Sequence, residues 1–209
     1  MKKFYTNIPL QVNLQAYLYH AVDNNKLQMD VEHSFPILNA MNGYAEKGDT
    51  IAVYAVVTDL ETALHNARIF EESVKKLCAE KEIHLEGDSV HFVKIPNDER
   101  ITVQVDVFQR LIDLVEDNDE LFYCATYGTK PQSMVLQMAM QYAYRIKTNT
   151  VITCAVYGKV TRYGKDTGKP DYAEIFDITA LVEIDELVRI LADRKVKNPR
   201  EIIRHLTSV

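Results

Sequence analysis

The run Ile51 to Val57 is continuously apolar apart from one tyrosine, is rich in β-branched residues and carries no charge. A strand with one wet face alternates apolar with polar residues; one without that alternation has to be covered on both faces, as in parallel sheets flanked by helices. The rest of the chain supplies matching pieces. Lys3 to Ile8 reads as a first strand ended by Pro9, and Leu10, Leu14, Tyr17, Leu18, Ala21 and Val22 then recur at helical spacing before Asp23-Asn24-Asn25. A second helix is predicted from Phe35 to Glu46, closed by Gly48. Thr58 or Asp59 caps a long helix that reaches about Glu82, with Leu64, Ala67, Phe70, Val74 and Leu77 on its apolar side.

The alternation continues with a strand at Val90 to Ile95, a helix at about 103–115, a strand at Leu121 to Thr126 and a helix from Pro131 to Ile146. A fifth strand, Val151 to Tyr157, precedes the polar, basic segment Gly158 to Asp171, which reads as a loop or hairpin. A sixth strand, Ala173 to Ile178, and helices near 185–192 and 199–206 finish the chain. The pattern predicts an α/β, Rossmann-like domain: a mainly parallel six-stranded sheet with helices on both faces and short C-terminal helices. The one seam, Lys195 to Pro199, divides it into a domain at 1–192 and a helical tail at 193–209.

Composition narrows the function. The net charge of −6 argues against a general DNA or RNA binder, so no duplex nucleic acid is expected. Tyr5-Thr6-Asn7 interrupts the apolar core that a leader peptide needs, and no run is long enough to span a bilayer, so no membrane partner is expected either. Cys78, Cys124 and Cys154 form no C-x-x-C pair and read as buried reduced thiols, which fits a cytoplasmic protein without a metal site. Charge is unevenly spread. Residues 1–120 carry 11 basic and 21 acidic side chains, whereas 121–170 carry seven basic ones against only Asp166. That basic block is an anion site, an ordinary solvated face or a subunit contact.

The segment from Cys124 to Ser133 passes from a strand through a glycine turn into a helix with proline in its first turn. Gly128 can take a positive φ and admit a ligand to the backbone. Free amides of the next turn, the helix dipole and Lys130 then converge, a combination suited to phosphate. It is not a Walker loop, and no G-x-G-x-x-G follows the first strand, which weighs against a dinucleotide enzyme. The plain alternative is a strand-to-helix connection with a surface lysine.

The stretch Phe122-Tyr-Cys-Ala-Thr-Tyr-Gly-Thr-Lys-Pro-Gln-Ser-Met resembles the signature of CARF domains, the CRISPR-associated Rossmann-fold sensors of cyclic oligoadenylate. Ala155-Val156-Tyr157-Gly158, then Ile175-Phe176-Asp177-Ile178-Thr179 and a leucine-rich helix, is similar to one large CARF subfamily. With Lys3 to Asn7 as first strand and loop, the likeness spans about residues 1–192. It implies a homodimer that binds a ring-shaped adenylate across its two-fold axis. By position, Gly128, Thr129 and Lys130 hold phosphates, and Thr6, Asn7 and Gln11 line the pocket floor. Tyr127 or Tyr163 either stacks on adenine or is simply packed. Gln132, in the helix that follows, and Arg162, in the basic loop, complete the expected ligand set, and residues 159–169 form a lid.

The resemblance also implies an effector-less member, some of which are ring nucleases. No cofactor is needed there: a ribose 2′-OH attacks the adjacent phosphate, with Lys130 stabilising the phosphorane and Thr6 or Asn7 orienting the nucleophile. None of His20, His33, His65, His84 and His91 is expected near the turn, which leaves a slow enzyme or a binder that does not cleave. Arg200 and His205 match an R-x4-H ribonuclease spacing, but without a helical domain of their own. The competing readings are an interaction subunit that binds no nucleotide and a mononucleotide-dependent enzyme.

Overall fold

Strand β3 (Thr50–Thr58) runs through the middle of the protein, and all but its first residue are buried. The computed structural model describes residues 1–163 and 170–207. On one side of β3, Ile51, Val53, Ala55 and Val57 join a buried cluster with Ile37 and Met41 of helix α1 (Ile37–Tyr44) and with Phe70, Val74 and Leu77 of α2 (Glu61–Lys81). The intervening residues Ala52, Tyr54 and Val56 belong to a second cluster. That one holds Val107 and Leu111 of α3 (Ile101–Asp113), Leu136 and Met140 of α4 (Lys130–Ile146), and Val182 of α5 (Ala180–Asp193). The split follows from the strand's two-residue period, and it is why the sequence of β3 shows no polar alternation.

β1 (Lys2–Asn7) lies between β3 and β6 (Glu120–Cys124), parallel to both. β6 pairs in parallel with β7 (Val151–Thr161), and β7 pairs antiparallel with β8 (Tyr172–Asp177). On its other side β3 takes the two-residue strand β4 (His84–Leu85) at its start and β5 (His91–Ile95) at its end. The outermost strand, β2 (Tyr19–Ala21), is parallel to β8. The sheet is therefore α/β, mixed and mostly parallel. It has eight strands where six are predicted, because β2 and β4 are too short for a periodicity to register.

From β1 the chain builds outward through β3 to β5, then returns to the other side of β1 and builds through β6 to β7. Thus the order reverses between β1 and β6. At the opposite, amino-terminal edge, the ammonium of buried Lys3 meets Asp119, also buried, at 2.8 Å, and donates to the carbonyl of Leu114. The C-terminal α6 (Arg200–Thr207) ends the described chain.

The helix predicted between Leu10 and Val22 does not form. This stretch is an irregular strap that ends in β2. Asn66 of α2, fully buried, donates from its Nδ2 to the carbonyls of Pro9 (2.8 Å) and Gln11 (2.9 Å). Further on, Tyr17 and His33 exchange backbone hydrogen bonds. The apolar residues Leu10, Leu14, Tyr17 and Ala21 still pack on the first cluster, so the spacing marked what is buried but not how. Likewise β7 does not stop at Tyr157; it runs on through Gly158 to Thr161 by pairing with β8.

Candidate functional site

The carboxyl ends of β1, β3 and β6 bring Asn7, Thr58 and the turn Tyr127-Gly128-Thr129 together. Gly128 has φ +91°, and a Cβ there would stand 2.9 Å from Gln132 Oε1 and 3.0 Å from Asn7 Cβ and Cγ. Both the left-handed backbone and the close approach require glycine. Asn7 is 1% exposed, and neither its Oδ1 nor its Nδ2 has a hydrogen-bond partner among the described residues. Thr6, also buried, donates to the backbone oxygen of Asn7 at 3.3 Å.

The start of α4 differs from the expected anion nest. Thr129 and Gln132 form a capping box: the Thr129 N–H donates to Gln132 Oε1 at 3.0 Å, and the Gln132 N–H donates to Thr129 Oγ1 at 3.4 Å. Pro131 has no N–H, and that of Ser133 already donates to the Thr129 carbonyl. Among the described residues only the Lys130 amide is left without a partner at the helix start. Gln132 is buried and donates from Nε2 to Thr58 Oγ1 at 3.1 Å, while Thr129 Oγ1 donates to the carboxylate of Glu99 at 3.1 Å. The helix thus satisfies its terminal donors except the Lys130 amide, with an anion of the chain already beside them. The Lys130 side chain is exposed and has no partner among the described residues.

Next to this turn lies a cleft of about 320 Å³. Its walls carry three aromatic rings (Tyr17, Tyr19 and Tyr127), the amides of Gln11 and Gln15, and the guanidinium of Arg162; Thr126, Gly158 and Val160 complete it. It sits at the carboxyl end of β6, where Thr126 and Tyr127 follow the last strand residue, and beside the extension of β7. The Gly158 N–H donates to Thr126 Oγ1 at 2.8 Å. A Cβ on Gly158 would come within 2.4 Å of Pro36 and 3.1 Å of Tyr19, so this glycine lets both, Pro36 above all, pack closely on β7.

Of the residues expected from sequence, Gln11, Tyr127 and Arg162 line the cleft. Thr6, Asn7, Gly128 and Gln132 gather at the β1–β6 boundary without lining it, Thr129 is bonded to Glu99, and exposed Lys130 also stays outside the lining. The Tyr127 hydroxyl donates to the Ser34 carbonyl at 2.6 Å, which fixes the ring. Burial pushes the Tyr19 phenol up to about 12 and raises that of Tyr127 further, so both rings stay neutral at physiological pH. Arg162 is exposed and unpaired among the described residues. Tyr163 also stays outside the lining, and within the expected lid Lys159 pairs with Glu174 at 3.3 Å. The remainder of the lid, residues 164–169, and the side chain of His205 lie outside the described residues.

Gln15, Tyr17, Tyr19, Thr126, Gly158 and Val160 are cleft residues that the sequence did not reveal. The strap's helical spacing concealed the first three, and a misplaced strand end concealed Gly158 and Val160. Behind Tyr19 stacks His33, with ring centroids 5.2 Å apart; it is 8% exposed, and burial lowers its pKa to about 4. The three cysteines are free and buried. Among the described residues no group of three or more His, Cys, Asp or Glu side chains converges, and no helix is long and apolar enough to cross a membrane. No protein-family model and no curated protein matches the chain.

Proposed function

We propose that the chain is a Rossmann-like domain of the CARF type, with α1 and α2 on one face of the sheet and α3, α4 and α5 on the other, which binds cyclic oligoadenylate as a cytoplasmic homodimer. One observation carries the reading: a cleft of tyrosines, glutamine amides and a guanidinium unpaired among the described residues lies at the carboxyl end of β6, beside the reversal of strand order. Open α/β sheets bind ligands at that point. The partly exposed rings of Tyr17 and Tyr127, unlike buried Tyr19, offer purines a stacking platform, side-chain amides read base edges, and a guanidinium pairs with phosphate. Neutral phenols do not repel an anion.

The cleft is at the lower end of the roughly 300–1,000 Å³ typical of ligand pockets, so it takes one nucleotide unit rather than a ring. A ring held there is shared between two copies, which its own symmetry favours. Phosphate recognition falls to Arg162 and not to the capped start of α4. We read the protein as a binder rather than a rapid nuclease, because Thr6 and Asn7 are buried outside the cleft lining and no histidine among the described residues lines it. In-line attack needs an activating group within hydrogen-bond reach of the 2′-OH.

A thermal-shift panel tests this. A ligand at about a hundred times its Kd adds roughly 2.7 kcal/mol to stability. Cyclic tetra- or hexa-adenylate is expected to raise the Tm, and the rings are expected to stay intact after long incubation. Stabilisation by AMP or ATP instead selects a mononucleotide enzyme, and by NAD a dinucleotide one; stabilisation by none selects an interaction subunit.

A further inference from the structure

A second cavity, of about 400 Å³, opens at the start of β7, at the other end of that strand from Gly158 and Val160 of the first cleft. It lies between the last turn of α4 and the first turns of α5. Val151, Ile152, Val182 and the ring of Tyr144 give it apolar walls, and Val151 is 49% exposed there. A cavity of that size with apolar walls suits a small organic molecule, and its few polar groups decide which one.

Most of those groups are already engaged. Thr150 Oγ1 donates to the Glu116 carbonyl at 3.0 Å. Thr179 Oγ1 donates to Asp177 at 2.5 Å and accepts from the Ala155 N–H at 2.8 Å. Glu186 accepts from the Tyr144 hydroxyl at 2.5 Å, from Arg189 at 2.8 Å and from Arg145 Nε. These donors hold its carboxyl well below the usual carboxylate range, and the two arginines neutralise it. Arg145 is itself shared with Asp185 at 2.5 Å, so no free cation remains in this cluster. The same bonds tie the end of α4 to α5 and keep the cavity open before any ligand arrives. Glu183 differs: it lines the cavity and has no partner among the described residues. No lysine or arginine among them lines it. The unspent side-chain group is therefore one anionic acceptor beside apolar walls.

We propose that this cavity is a second binding site, for a small organic ammonium whose apolar body rests on Val151, Ile152 and Val182 while its N–H groups donate to Glu183. A charge-assisted hydrogen bond of that kind is about twice as strong as a neutral one. The site is opposite in sign to the Arg162 cleft and refuses phosphates, so it stands independently of the proposed function.

Calorimetric titration of phenethylamine into the full chain tests it, with phenylacetate as the anion of matching shape. Saturable binding of the amine at one molecule per chain is expected, and none of phenylacetate. Glu183→Gln is expected to weaken the amine by about tenfold or more. Val151→Trp, which fills the cavity from a half-exposed position, is expected to abolish binding, and Arg162→Ala to leave it unchanged. Absence of amine binding, equal binding of phenylacetate, or a loss on Arg162→Ala would each overturn the site. Glu183 also stands in the first turn of α5, where a carboxylate favours the helix dipole. A Glu183→Gln variant with a lower Tm and unchanged amine affinity would assign it to that role alone and equally overturn the proposal.

Discussion

Lys3 and Asp119 illustrate how single residues anchor this sheet. Both are buried at its amino-terminal edge, 2.8 Å apart, with the Met1 ammonium 3.2 Å from the same carboxylate. Removing one partner of a buried pair strands the other charge, so Lys3→Met should destabilise by about 3–5 kcal/mol, less whatever the Met1 ammonium retains. The double variant Lys3→Met/Asp119→Leu should recover most of that loss in denaturant unfolding; two additive losses would contradict the pairing. His33 makes a pH-dependent contribution. Its folded pKa of about 4 lies below its ordinary 6.5, so between those values the unfolded chain binds more protons. The stability associated with a neutral His33 is complete above 6.5 and is lost as pH falls through 4, by at most about 3 kcal/mol. His33→Gln should therefore lose less stability than wild type between neutral pH and pH about 4.5, within that window. Equal losses would show that His33 does not set this dependence.

Among the elements, the strap from Pro9 to β2 departs furthest from its sequence pattern, and Asn66 holds it. Asn66→Ala removes a buried hydrogen bond to the Pro9 carbonyl and a partly buried one to that of Gln11 and should cost about 1–3 kcal/mol, with faster amide exchange between Gln11 and Leu18 and unchanged protection in α2. Protection lost equally throughout would mean that the strap is not an independent unit. The strands and helices with continuous or strongly periodic burial, β3, α2, α3 and α4, were legible because their own residues dictate them. The strap was not, because a tertiary contact from Asn66 and pairing with β8 outweigh its helical spacing. The start of α4 was half legible. Its glycine turn and proline were read correctly, and Thr129-x-x-Gln132 is itself the signature of a capping box, which means occupied amides rather than free ones. At the cleft, Gln11, Tyr127 and Arg162 were legible; Tyr17 and Tyr19 were hidden by the same mistaken helix that hid the strap.

Over the whole molecule, the sheet supplies a rigid floor whose strand order reverses at β1 and β6, and the strap and β7 build a wall of aromatic and amide groups beside that point. Among the described residues Arg162 is the one charged side chain of that lining, so an anion bound there would pair with it. Calorimetric titration of cyclic tetra- and hexa-adenylate into wild type, Arg162→Ala and Lys130→Ala tests this most directly. A saturable heat at one ring per two chains is predicted, with affinity lowered at least tenfold by Arg162→Ala, about 1.4 kcal/mol, and less by Lys130→Ala. No heat with either ring, or a loss on Lys130→Ala that exceeds the loss on Arg162→Ala, would contradict the account.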